Sequence, residues 1–238
     1  MVYAVFMIGG SRFAEPRIEE WQAMHEFDKG LRSEPAFAVI EARHPKEVAR
    51  ALAEVRSGIR VALKSGDNGA MLDASRSAFK TLYGELLPNY ARTIPDGEVV
   101  TFWRTWFKRY KTVAAHDSAA AFEALAGGHD VKVDGALNAE LGNAGLRAIA
   151  AAISNPAPPP DSIEVEVTRR ALIARLRTRF GDDVMVLADP LNPAFNRSRA
   201  QAVVFSFWDE IFMLPDREAG PLLRTLAPLE NAFVANPN

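Results

Sequence analysis

Apolar residues in this chain fall either into short unbroken runs or into stripes at helical spacing, and the two alternate over the first third. Phe37, Ala38, Val39 and Ile40 form an unbroken run of the kind a strand covered on both faces requires. Pro45 is suited to the first turn of a helix, where a missing N–H costs nothing. Val48, Ala51, Leu52 and Val55 then make one apolar stripe, and Lys46, Glu47, Arg50, Glu54 and Arg56 cover the remaining surface. Ser57-Gly58 supplies a helix stop, Ile59 to Leu63 returns as a second run, and Lys64-Ser65-Gly66-Asp67-Asn68-Gly69 turns the chain. A strand, a helix and a strand joined this tightly pair in parallel with a right-handed crossover. Val2 to Ile8 adds a preceding strand, followed by a helix from Pro16 to Lys29 with Ile18, Trp21, Met24 (or His25) and Phe27 on one face. The expected fold class is α/β, a short mostly parallel sheet flanked by helices.

Further along, Ala74 to Leu87, Thr101 to Lys111, Ala114 to Ala126 and Leu137 to Ile153 carry helical patterns, with Asp73 and Asp117 (or Ser118) as caps and Gly127-Gly128 as a stop. Val131 to Val133 is expected as a short strand. Asn155-Pro156-Ala157-Pro158-Pro159-Pro160-Asp161 favours an extended, semi-rigid conformation. It divides the chain into an α/β domain (1–154), a linker (155–161) and a smaller α+β part (162–238) that packs on the first or on another chain. In that part, Thr168 to Phe180 is a helix with Leu172, Ile173, Leu176 and Phe180 inward and Arg169, Arg170, Arg175, Arg177 and Arg179 on its remaining surface. Val184 to Ala188 and the apolar run Ala202 to Trp208 are its expected strands, and a short helix follows Pro215-Asp216.

Composition narrows the function classes. A chain of 238 residues can build its own core without staples. The absence of cysteine excludes disulfides, thiol catalysis and cysteine-ligated metals. The net charge of −2 gives no overall field for nucleic acid or anionic membranes, so any nucleic-acid site must be a local patch. No apolar run approaches the ~20 residues of a membrane span, and the N-terminus lacks a secretory signal pattern. The expected setting is the cytoplasm, or a particle assembled there.

Ligand chemistry in a parallel sheet gathers beyond the carboxyl ends of its strands. Here those ends carry Gly9, Gly10, Ser11 and Arg12, where a glycine turn ahead of a helix can cradle an anion. They also carry His44, Lys64 and Asp67, which as an enzyme site supply a general base (His44 or Asp67), with Lys64 and Arg12 as anion holders. Ordinary solvated loop residues are the competing account of both groups. The pairs His116-Asp117 and His129-Asp130 lie at opposite ends of one helix, too far apart to share a metal. No P-loop, complete dinucleotide fingerprint, nucleophile elbow or zinc-type His-Glu spacing is present.

The segments Ala38-Val39-Ile40, His44-Pro45-Lys46-Glu47-Val48, Arg60-Val61-Ala62-Leu63-Lys64-Ser65-Gly66 and Leu72-Asp73 resemble the start of the flavin-binding domain of vanillyl-alcohol-oxidase-type flavoproteins. The resemblance implies a strand, helix and strand leading to a flavin loop. Asp67 and Asn68 stand where that family has its second glycine and histidine, and the chain after Asp73 is too short for the rest of both domains. No cofactor is assigned on this basis.

The most unusual segment is Thr101 to Lys111. Phe102, Trp103, Trp106, Phe107 and Tyr110 recur at i, i+1, i+4, i+5 and i+8, on one helical face, and Arg104, Lys108 and Lys111 fall on another. Three readings follow: a core face with solvated cations, a partner-binding face rich in hot-spot residues, and a platform that stacks bases and holds phosphates. Taken with the arginine-lined helix and the proline strap, the leading expectation is a non-catalytic interaction or structural subunit of a larger multi-protein assembly, such as a particle, injection or secretion machine. Its partners are then other protein subunits, including further copies of the chain. A nucleotide- or flavin-type enzyme with its site at the strand ends is the alternative, and nucleic-acid binding through 101–111 is the second.

Overall fold

A computed structural model of the chain describes residues 16–65, 77–78 and 82–226. These are 83% helical and contain no strand, which overturns the α/β expectation and its parallel sheet. The helices are α1 (Pro16–Arg32), α2 (Pro35–Arg43), α3 (Pro45–Ser65), α4 (the helical residues 82–90), α5 (Asp96–Ala114), α6 (Ser118–Gly127), α7 (Gly135–Ser154), α8 (Ser162–Phe180), α9 (Arg197–Met213) and α10 (Asp216–Thr225). The expected strand Val2 to Ile8 lies outside the described residues.

Each corrected strand has a local reason. Ala36 to Ile40 lies within α2, where Phe37 and Ile40, three apart, are the buried pair. Ile59 to Leu63 is the second half of α3: Val48, Ala51, Val55, Gly58, Ile59 and Ala62 form one continuous buried stripe, and Gly58 sits inside it instead of ending it. Residues 131–133 are irregular, and Val184 to Ala188 belongs to a 3-10 helix, Gly181–Ala188. Ala202 to Trp208 lies within α9, so the described residues of the C-terminal part form helices joined by turns, with no strand.

Helix ends follow their side chains. Asp117 accepts a hydrogen bond from the Ala120 N–H (2.9 Å), Asp134 from Leu137 (2.8 Å), Asp161 from Ile163 (2.7 Å) and Asn196 from Arg199 (3.1 Å), each satisfying an amide donor that the helix leaves free. Gly128 ends α6 with φ +68°, a conformation that a side chain would strain.

The central element is α5, which packs against α6, α7, α9 and α10. Its aromatic stripe and the buried faces of these neighbours belong to one core cluster with members on both sides of the proline strap. The strap is held by the Ala157 N–H, which donates to the Thr93 carbonyl (2.8 Å). On the other side of the molecule α2 packs on α7, and α1 on α3. Tyr83 of α4 donates to the Gly142 carbonyl of α7, and Gly145 leaves room for its ring. Burial pushes the Tyr83 phenol far above its ordinary pKa.

The contact between α10 and α5 depends on a glycine. A Cβ built on Gly220 falls 2.5 Å from Asp96 Oδ1, 2.6 Å from its Cβ and 2.7 Å from its Cα. Because one obstacle is backbone, a rotamer change cannot relieve the clash. Gly220→Ala is therefore expected to destabilise by about 1–3 kcal/mol through overpacking, although in an open helix the same change stabilises by ~1 kcal/mol. Urea denaturation checks the sign.

Candidate functional site

The aromatic helix extends as the spacing predicts, but its face is turned inward. Phe102, Trp103, Trp106, Phe107 and Tyr110 are all buried. Trp103, Trp106 and Phe107 meet α9 of the same chain: Trp208 stacks on Trp103 (5.5 Å between centroids) and on Phe107 (5.8 Å) and lies against Trp106, and Phe205 and Phe212 also meet Phe107. Of the three readings of this face, the core reading describes the rings. Trp103 Nε1 has no hydrogen-bond partner among the described residues, so its indole contributes by stacking and burial.

The cations of α5 are engaged at the rim. Arg104 donates to the Phe212 carbonyl (3.3 Å) and lies over that residue's ring, Lys108 pairs with Glu140 (2.8 Å), and Lys111 pairs with Asp209 (2.8 Å) while lying over Phe107. Arg109, absent from the expected basic face, is buried. It donates to the Val131 carbonyl (3.0 Å) and pairs with Asp130 (2.7 Å). Tyr110 donates to the His129 carbonyl (2.9 Å), and burial first, then the negative charge of Asp130, raises its pKa, with Arg109 opposing. Residues 129–131 are thus tied to α5 by two buried side chains. With Asp117 capping α6 and Asp130 held by Arg109, the two His-Asp pairs have separate structural duties. No group of three or more metal-ligating side chains occurs among the described residues.

Two members of the enzyme constellation, His44 and Lys64, are held apart. His44 sits just ahead of α3, where its Nε2 shares a hydrogen bond with the Tyr90 hydroxyl (2.7 Å), and Glu47 is 3.9 Å from Nδ1. Lys64 is in the last turn of α3, so the helix holds the two residues roughly 30 Å apart. Asp67 and the group Gly9, Gly10, Ser11 and Arg12 lie outside the described residues. The strand ends that were to gather these groups are helical in the described part, and the strand–helix–strand likeness to the flavoproteins is corrected with them.

What sequence reasoning missed is the second face of α8. Leu172 and Leu176 are buried against the body, whereas Ile163 and Val167 on the opposite side are 73% and 63% exposed. At 3.6 residues per turn, Ile163, Val167, Ala174 and Thr178 share a sector of about 60°, and all four are exposed. The signal was available: four residues at i, i+4, i+11 and i+15, none charged, on a helix otherwise rich in arginine and glutamate. The rim is ionic. Glu166 accepts from Arg170 (2.6 Å) and Arg169 (2.8 Å), and these two bonds, in that order, hold its carboxyl below the usual range. Arg175 reaches Glu210 at 3.2 Å. No helix among the described residues is long and apolar enough to cross a membrane.

No protein-family model, curated protein or solved structure matches the chain.

Proposed function

We propose that the chain is a non-catalytic interaction subunit that joins a protein assembly through the outer face of α8. The observation that carries this reading is the pair of opposed apolar faces on one helix, the inner one closed by the body and the outer one, Ile163 and Val167, open to water. A solvent-facing helix needs one apolar stripe to dock on its own domain; a second stripe of branched residues is accounted for by a second contact. The aromatic face of α5 does not support the reading, because all five of its rings are buried within the chain.

The test is the native mass of the chain in extracts of cells that produce it. The expected result is a species heavier than the 26.1 kDa monomer, reduced to the monomer by Val167→Glu with no change in thermal midpoint. A monomer in the unmodified extract, or a complex indifferent to Val167→Glu, overturns the reading.

A further inference from the structure

Building on that reading, we infer that the partner of the outer α8 face is a second copy of the chain, with the two helices antiparallel about a two-fold axis. The argument is the distribution of charge along the helix. Acidic residues occupy its first half (Asp161, Glu164 and Glu166), and basic residues occupy the rest (Arg169, Arg170, Arg175, Arg177 and Arg179). Two copies laid parallel set like charges side by side. Laid antiparallel, each acidic end meets a basic end.

The register follows from the helical period. Centring the axis between Arg170 and Ala171 brings Ile163 opposite the second copy's Thr178 and Val167 opposite its Ala174, so each large exposed residue meets a smaller one. Glu164 and Arg175 flank the stripe on one side, and Glu166, Arg170 and Arg177 flank it on the other, where Arg170 lies next to the axis with its charge held by its own Glu166. In an antiparallel pair each flank faces its own counterpart. Glu164 therefore approaches Arg175 of the other copy and Glu166 approaches Arg177, and the symmetry makes each pairing twice. Such an isologous contact closes on itself and yields a dimer. Within one chain Glu164 and Arg177 form no ion pair among the described residues, which leaves both for this contact. A single helix face buries less than the ~1,600 Å² of a standard interface, so association in the micromolar range is expected.

The experiment is sedimentation equilibrium of the purified full chain across the micromolar range, with variants in and beside the outer stripe of α8. The wild type is expected to dimerise and Val167→Glu to remain monomeric. Glu164→Arg and Arg175→Glu should each weaken self-association about tenfold. An equimolar mixture of these two should recover the lost affinity as a heterodimer, since each copy then faces an opposite charge at both symmetry-related positions. Arg175 also serves Glu210, so a thermal melt of each variant accompanies the run, and Glu166→Arg with Arg177→Glu is the second pair for the same mixing test. A monomeric wild type at all concentrations overturns the inference, while the heavier species in extract, if Val167→Glu abolishes it, keeps the interaction reading with a different partner. A dimer unaffected by both charge-reversal pairs, or unrestored by mixing, overturns the antiparallel α8 geometry.

Discussion

Phe107→Ala is expected to destabilise the chain by about 3–5 kcal/mol, the range for removing a large aromatic from a close-packed core. Phe107 is 2% exposed and its ring meets Phe205, Trp208 and Phe212, so α9 cannot close the space without moving several rings together. Arg104→Ala is the comparison. Its side chain is exposed and makes one long hydrogen bond and a cation–π contact, so a loss of no more than about 1 kcal/mol is expected. Guanidinium denaturation of both variants at unchanged m-value measures the contrast. If the aromatic stripe were a docking face, the order would reverse: Phe107→Ala would leave the fold intact and weaken only assembly. A destabilisation under 1 kcal/mol would therefore return the face to the surface of the molecule.

The same pair of helices explains how far the sequence could be followed. The period of α5 was legible because five aromatics at helical spacing outweigh any other pattern. Its partner was not, although Val203, Val204, Phe207, Trp208, Ile211 and Phe212 repeat the very spacing of Phe102, Trp103, Trp106, Phe107 and Tyr110. The run from Ala202 to Trp208 is nearly all apolar and β-branched or aromatic, and over that length propensity favours a strand. Only a window reaching Phe212 shows the helical repeat. Tertiary packing against α5 then decides the matter, since a helix can set Val203, Val204 and Ile211 into the core on one side. With α9 misassigned, the aromatic face lacked an internal cover, and an external partner was the natural inference.

Gly58 produced the second large error by a different route. A Ser-Gly pair after a helical stripe normally ends the helix, and the apolar run beyond it then looks like a new element. Here Gly58 is one of the buried residues of α3, and burial of the continuous apolar stripe overrides its low helix propensity. Once α3 runs unbroken from Pro45 to Ser65, His44 and Lys64 stand at its two ends and not at neighbouring strand ends. The caps, by contrast, were legible: Asp117 was one of two expected caps of α6, and the glycine stop after it holds, because both act through local hydrogen bonds and backbone conformation. The outer stripe of α8 fell between these cases. Its residues were visible, but which side of the helix is buried depends on α9 and α10, and both were needed to see that Ile163 and Val167 face away.

Asp96→Ala is expected to cost more than Arg224→Met, by an asymmetry that the burial of the pair dictates. Arg224 of α10 donates from Nη1 to Asp96 Oδ1 (2.5 Å) and to the Ile94 carbonyl (2.7 Å), fastening α10 to the start of α5. The arginine side chain is 3% exposed and the aspartate 35%. Removing the carboxylate leaves a guanidinium charge enclosed, with its Nε already without a hydrogen-bond partner, and a loss of about 3–5 kcal/mol is expected. Removing the arginine leaves a carboxylate that water can reach, while methionine refills most of the space, so a loss of about 1–3 kcal/mol is expected. The double variant should then be more stable than the sum of the two losses predicts, because the enclosed charge is absent from it. A urea double-mutant cycle reads that coupling directly. Strict additivity, or a larger loss for Arg224→Met than for Asp96→Ala, would mean that the arginine acts by filling space and not by its charge, and would reduce the α5–α10 fastening to shape alone.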